Sequence, residues 1–532
     1  MTPDHRLFPL GTRRQDGFTL IELLVVIVIL GVLSAIVVFS VRGIGDRGRK
    51  NAVAADAATL RTAEESYCAK HGHYGTVDDL KADGLLTSEP VYNMVAVGEE
   101  NKCGRGEKSS FTLYDTSPMD GAVAPVTVGK APTDLAVDEK ADRVYVVAGG
   151  GGTGTVTVID GKTDKPIGAP IDVAGAVSSP TRIAVNSGTG QVYVGGANGI
   201  AVIDTANANR VTRVDGFTTP VAGLAVSPEN GEVYVGSGGP SISGVAVIAA
   251  GSSTATPIPF PQDVVGTAGA SFGMDFSFDP ARHAVYLTKA GNGAGVSPDT
   301  GLLAISSQTH RVTLVARFST KAACSTGTED GLLANSARGR TVVDPNRNLV
   351  YLLARRCVQD PAAPGTWKTV ATTIAVNPAD GTSTAIDDPV GPAFGPQTAV
   401  YSPAAASVYV YSVGGSGGAQ CGGSGGRIDQ IVGTKATRQV TVCGLSNAGG
   451  TAVNAAHRLA VLKKFNRLFV TQQKTDKAPG GLGVVDGTTL LTQAPLGTPL
   501  QYGALAVNDT TAKLYAIDPV NEKVAVFRTG SD

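Results

Sequence analysis

The sequence predicts a mostly β chain: a long N-terminal α-helix with a small α+β head, followed by a large C-terminal β-propeller. Three observations carry this. Residues 18–41 form an almost unbroken apolar run behind a short basic segment, and beyond about residue 120 a strand–turn–strand pattern recurs in eight copies. Glycine supplies 68 of 532 residues with no Gly-X-Y period, and aromatics only 5 %, the composition of an all-β protein with many tight turns. A chain of 532 residues also exceeds one typical domain.

The apolar run comes first. Residues 1–17 are polar, contain Arg6, Arg13 and Arg14, and end in Gly17. From Phe18 to Val41 a helix would rise roughly 36 Å at about 1.5 Å per residue, enough to span a bilayer. The arginines before it are expected to stay cytoplasmic, which sends the C-terminal bulk outside. A secretory signal would place its cleavage site after the apolar stretch, whereas Gly17–Phe18 lies before it. Glu22 sits inside the apolar helix, where an unpaired carboxylate costs several kcal/mol, so it calls for a partner.

Gly17-Phe18-Thr19-Leu20-Ile21-Glu22 closely resembles the prepilin cleavage and methylation motif of type IV pilins and type II secretion pseudopilins. The resemblance implies cutting after Gly17 by a prepilin peptidase and N-methylation of Phe18. It also implies that Glu22 pairs with the Phe18 amino group of a neighbouring subunit, with other pilin subunits and the assembly machinery as partners. Gly31 matches a glycine often found in such helices. The proline that many type IV pilins carry near position 39 is absent, Phe39 standing there, and pilus versus secretion pseudopilus stays open.

Glycines 43, 45 and 48 interrupt the pattern after Arg42. Val53, Ala57, Leu60, Ala63 and Tyr67 then recur at steps of three and four, one face of an amphipathic helix ending near His71-Gly72. Strand-like runs follow at Val91–Val97 and Phe111–Tyr114, an arrangement similar to a reduced pilin head. His71 and His73 have no evident third ligand nearby, so helix-end residues are expected rather than a metal site.

In the repeat, a short apolar strand ends in Asp, Asn or Ser, a polar turn follows, and the second strand carries Val-Tyr or a variant. The copies pair Asp138 with Tyr145, Asn186 with Tyr193, Ser227 with Tyr234, Asp279 with Tyr286, Asp344 with Tyr351 and Ser402 with Tyr409. A degenerate copy has Leu468-Phe469, and the last pairs Asn508 with Tyr515. Spacings between tyrosines run from 41 residues (193 to 234) to 65 (286 to 351), which suits four-stranded propeller blades. The copies resemble the YVTN-type propeller repeat over about the last three quarters of the chain, a motif specific for fold and nearly silent on function. The last copy stops after its third strand, Val524–Phe527, and Val123–Val128 is expected to supply the missing one. Eight blades are expected, or seven if the Leu468-Phe469 copy is not a blade. The predicted organisation is a cleaved leader (1–17), a membrane and filament-core helix (18–41), a reduced head (42–118) and a propeller (119–532).

Composition and motifs exclude more chemistry than they suggest. With 44 basic against 45 acidic residues no nucleic acid is expected, and Trp367 alone gives no stacking platform. Six cysteines lack any C-x-x-C motif and allow about fifteen pairings. Proximity suggests Cys68–Cys103, Cys324–Cys357 and Cys421–Cys443, and export favours disulfides. The glycine run 149–154 lacks the Lys-Ser/Thr of a phosphate loop and reads as a hairpin loop. His283, His310 and His457 are not accompanied by a G-x-S-x-G elbow, so no catalytic residue, metal or cofactor is assigned.

One constellation stands out. Four residues before the end of the first strand lie Asp134, Arg182, Asp275 and Arg340, charges expected to converge at one mouth of the propeller channel. They read either as a binding site for an unknown extracellular ligand or as a structural ring of ion pairs. The expected function is a minor pilin-like or pseudopilin-like subunit, inserted in the inner membrane and then in an extracellular filament, displaying the propeller for binding or adhesion. Two rivals remain: an envelope-tethered propeller lactonase or hydrolase, and an anchored propeller that never polymerises. Turnover of a lactone panel separates the first rival, and loss of filaments on deletion the second.

Overall fold

The computed structural model describes residues 54–528, apart from 76, 89–92, 98–102, 104–110, 116–119 and a set of loop segments. Those segments are 150–153, 218–219, 240–241, 266–270, 273–274, 291–298, 322, 325–330, 334–340, 361–362, 388–393, 418–422, 444–458, 464–465, 473–480, 487–491 and 497–502. The chain divides into two compact units at Asn93 and Met94.

In the first unit residues 54–71 are helical, and Leu60, Ala63 and Tyr67 are buried on the face the periodicity picks out. Glu64 and Cys68 are buried with them. After Gly72, whose φ of 77° turns the chain, a short helix Val77–Ala82 buries Leu80. Strands Asn93–Val97 and Phe111–Asp115 pair as a two-stranded sheet. The sequence reading placed both in the head, up to residue 118. The compact unit ends at Asn93, and Phe111–Asp115 lies close to Thr492–Leu496 within the larger unit.

The larger unit is a succession of mainly antiparallel sets of four or five strands. The first holds Pro132–Asp138, Arg143–Ala148, Thr155–Asp160 and Lys165–Pro166, and the second Arg182–Asn186, Gln191–Gly196, Gly199–Asp204 and Arg210–Val214. The third runs from Val221–Val226 to Ala255–Pro257. The fourth and fifth, from Ser271–Phe272 to Ser383–Asp387, join as one ten-stranded sheet where Thr320 and Lys321 pair in parallel with Leu332 and Leu333. The sixth spans Phe394–Ser402 to Lys435–Cys443, and the seventh Leu459–Leu462 to Thr492–Leu496. The eighth holds Leu505–Asn508, Lys513–Asp518 and Lys523–Arg528, and its fourth strand is Asp120–Thr127, from before the first set. Val126 stands opposite Val524 and Val123 opposite Val526 in that ladder.

A buried apolar cluster lies at each junction of neighbouring sets. Tyr145, Val156, Val192 and Ile203 join the first to the second, and Tyr234, Phe276, Val285 and Leu303 the third to the fourth. At the last junction Val144, Val146 and Ile159 pack on Tyr515, Val524 and Val526, so the eighth set closes onto the first. Strands buried on both faces need apolar residues at successive positions, which is why the runs hardly alternate.

The repeated residues have physical jobs. Asp138 Oδ1 accepts from the backbone N–H of Lys140 and Ala141 at 3.1 and 3.0 Å, and Asn186 Oδ1 from Gly188 and Thr189 at 2.9 and 3.2 Å. Asp344 and Asn508 cap their turns likewise. Such Asx turns explain why the first strand ends in a short polar residue. Four residues later the backbone turns left-handed: Asp142, His283, Asn348, Ala406, Asn466 and Ala512 have φ between 45° and 55°, while Gly190 and Gly231 reach 71°. The second-strand tyrosines 145, 193, 234, 286, 351, 409 and 515 are fully buried. Several hydroxyls find partners at the rim: Tyr193 donates to Gln191 Oε1 (2.6 Å), Tyr234 to Glu232 Oε2 (3.2 Å) and Tyr351 to the Gly433 carbonyl (2.8 Å). An aromatic body with a polar tip suits a site apolar at one end and wet at the other.

Candidate functional site

Two of the four first-strand charges make hydrogen bonds that reach the backbone of the next set. Asp134 is buried; its Oδ1 accepts from the Leu135 N–H (3.0 Å) and its Oδ2 from the Ile183 N–H (3.4 Å) of the second set. Arg182 Nε donates to the Ala222 carbonyl of the third set (3.0 Å), and its NH1 to the Thr181 carbonyl (3.0 Å). Each of these two side chains thus hydrogen-bonds the backbone of the next first strand. Asp275 is half-buried at the corresponding place, and Arg340 lies outside the described residues.

A different cluster forms at the junction of the third and fourth sets. The turn Pro228–Gly231 places Glu229 and Asn230 against the fourth set, where His283 takes the left-handed position after its Asp279-capped turn. His283 Nδ1 contacts Glu229 Oε1, and Ser307 Oγ donates to Glu229 Oε2 at 2.7 Å. A carboxylate only accepts, so Nδ1 carries the hydrogen. Glu232 Oε2 accepts from Asn230 Nδ2 (2.9 Å) and Tyr234 OH (3.2 Å) and meets His310 Nε2 at 3.1 Å. Asn230 Nδ2 also reaches the Ser307 carbonyl at 3.3 Å. Hydrogen bonds from Ser307 and then His283 hold the Glu229 carboxyl below the usual carboxylate range. Ser307 thus serves the glutamate rather than a histidine, which is not the bonding of a hydrolase triad.

Beside this cluster a groove of about 550 Å³ opens where the first strands of the second and third sets end. Turn residues Asn186–Thr189 form one wall and Ser227–Gly231 the other, with Val185 and Val226 at its base. The sequence reading considered His283 and His310 but missed Glu229, Glu232 and Ser307. Partners 54 and 78 residues apart meet only through the stacking of sets.

In the smaller unit, His71 Nε2 meets Asp83 Oδ2 (3.1 Å) and Lys70 Nζ meets Asp83 Oδ1 (2.7 Å). The Lys70 and His71 hydrogen bonds lower the Asp83 pKa. His71 stacks on Tyr67 with ring centroids 4.2 Å apart. Among the described residues no cluster of His, Cys, Asp or Glu is arranged to hold a metal ion. Cys324 and Cys357 form a disulfide, and Cys68 and Cys103 are disulfide-bonded. Cys443 ends the strand Lys435–Cys443, while Cys421 lies outside the described residues.

Gly17, Phe18 and Glu22 also lie outside them, as does the run 18–41; no helix within the described residues is long and apolar enough to cross a membrane. Among solved structures the chain is similar to the Myceliophteria thermophila Cps50 (Swd1) β-propeller domain, at 10 % identity and a TM-score of 0.40, over 77 % of this chain and 98 % of that one. It is 37 % identical over 79 residues to the type II secretion system core protein G of Dickeya chrysanthemi, 15 % of this chain and 50 % of that protein. It is 39 % identical over 68 residues to core protein G of Escherichia coli (strain K12), 13 % of this chain and 47 % of that protein. The chain thus spans about half the length of these curated relatives. Residues 12–38 match the family described as the prokaryotic N-terminal methylation motif, so the chain carries a prepilin-type N-terminus and is similar to type II secretion pseudopilins.

Proposed function

We propose that this chain is a minor subunit of a type II secretion-like or type IV pilus filament, displaying an eight-bladed propeller outside the cell to bind a partner. The observation that carries the reading is the methylation motif at residues 12–38, standing ahead of a succession of sets that closes on itself. In this reading a prepilin peptidase cuts after Gly17, Phe18 becomes the methylated N-terminus, and residues 18–41 anchor the chain in the inner membrane before entering a filament. Glu22 then finds its partner in the Phe18 ammonium of a neighbour, which relieves the cost of a carboxylate in an apolar setting. A unit of over 400 residues behind one helix crowds a thin filament, which favours a minor or tip position. The partner is bound, not chemically changed.

Mass spectrometry of the mature protein tests the processing: N-methylated Phe18 is the expected N-terminus, and an intact leader or a cut beyond Val41 overturns it. Glu22→Ala tests assembly. The variant is expected to be processed and inserted normally yet to be missing from sheared filaments, and normal incorporation would remove the role given to Glu22.

A further inference from the structure

Among the ion pairs of the described residues, Glu229 and Glu232 are the carboxylates faced by histidine alone. The others, from Asp164 with Lys513 to Asp387 with Arg356, each face a lysine or arginine. A histidine's ordinary charge change falls between pH 5 and 8, so its countercharge is conditional where a lysine's is permanent. Above that range this junction keeps two negative charges without a fixed cation.

Glu229 also forms part of the groove wall, and it is the charged residue among those lining it. Ser307 and His283 of the neighbouring set bond the two carboxyl oxygens, so its position is set without a permanent positive charge cancelling it. A carboxylate offers about four lone-pair sites, and two are used by these donors. About 550 Å³ lies within the range of small-ligand sites and can admit one extended side chain with part of its backbone. The half-buried Val185 and Val226 at the base suit an aliphatic stem, and the polar turns on either side suit a peptide backbone.

We propose that this groove receives a lysine-type side chain of a basic protein segment, its ammonium on Glu229, and that His283 withdraws the site on acidification. The proposal deepens the binding role given above, but its test does not involve filaments. A failure here leaves the filament reading to be judged by Glu22→Ala, and a failure there leaves the groove untouched.

The experiment titrates acetylated tetralysine into the purified full-length chain in detergent, at low salt, at pH 8 and pH 5.5, with tetraglutamate as the control. Binding of tetralysine alone is expected at pH 8, and weaker by about tenfold or more at pH 5.5. Glu229→Gln is expected to lose the pH 8 binding, and His283→Gln to keep it while losing much of the acid sensitivity. Thr189→Lys, on the exposed opposite wall, brings an internal ammonium and is expected to block the groove with the fold intact; it decides the matter if Glu229→Gln fails to fold. No tetralysine binding at pH 8, or undiminished binding in a Glu229→Gln or Thr189→Lys variant that melts like the parent, overturns the site. Equal binding at both pH values overturns the histidine control.

Discussion

Two junctions of the larger unit solve the same problem with different charges. Where the eighth set meets the first, Lys513 Nζ binds Asp164 Oδ1 at 2.7 Å, with side-chain exposures of 9 % and 1 %, and also the Gly161 carbonyl. Asn508 Nδ2 donates to Asp142 Oδ1 (3.0 Å) and the Asp509 N–H to Glu139 Oε1 (3.2 Å) across the same seam. Where the third set meets the fourth, the cross-junction pairs are His283–Glu229 and His310–Glu232, the histidines 49 % and 31 % exposed. A buried permanent pair holds its register at any ordinary pH, because leaving either partner alone in a dry site is costly. A half-exposed histidine pair is cheap to make and to lose. The seam that must not open carries the first kind, and the junction beside the groove carries the second.

Breaking the seam is expected to give the largest effect. Lys513→Ala removes the buried cation 2.7 Å from Asp164 and should cost about 3–5 kcal/mol, measured by denaturant unfolding of the full chain. Replacing both partners together, Lys513→Met with Asp164→Leu, should recover most of that loss; if it does not, the pair contributes more than mutual neutralisation. A smaller effect, about 1 kcal/mol, is expected for Tyr193→Phe, which keeps the buried ring but removes the hydrogen bond to Gln191.

The smallest effects are pH-dependent. Glu229 titrates below the usual carboxylate range when folded, so its contribution is present above the ordinary carboxylate pKa and lost as pH falls through the lowered one. Glu64, in the smaller unit, runs the other way. Its Oε2 accepts from the Gly75 N–H at 3.1 Å, its Oε1 is buried without a partner, and burial raises its pKa. Folding there favours the proton, so its contribution is greatest in acid and lost as pH rises through the raised value. Hydrogen exchange at pH 4 and pH 7 should show Glu64→Gln increasing protection of residues 54–71 at pH 7 and changing it less at pH 4. Glu229→Gln should weaken the third–fourth junction at pH 7 and have less effect in acid.

The repeat was legible because each of its residues does something local. Asp138 or Asn186 closes its own turn, the left-handed position follows four residues later, and Tyr145 or Tyr193 fills the space beside it. The helical face of Leu60, Ala63 and Tyr67 was legible for the same reason. Partners were not. That Asp134 and Arg182 carry charge is written in the sequence, but their hydrogen bonds go to the backbone of the next set, and backbone groups leave no residue-specific mark. Glu229, Ser307 and His283 come from separate turns, so nothing in their spacing draws them together.

The strand Asp120–Thr127 makes the seam a mechanical element as well as a topological one. Beyond the Asn93–Val97 and Phe111–Asp115 pair, a pull transmitted along the chain from its N-terminal side reaches the succession of sets along this strand, whose ladder with Lys523–Arg528 is the first it meets there. A force directed along the strand loads the ladder in shear, so its hydrogen bonds share the tension instead of peeling one at a time. Val126 and Val128, buried at the same place, add an apolar grip to that ladder. The ends of the unit are thus tied together where a tether would draw on it, and a partner held elsewhere could be hauled without the load prising the sets apart one by one.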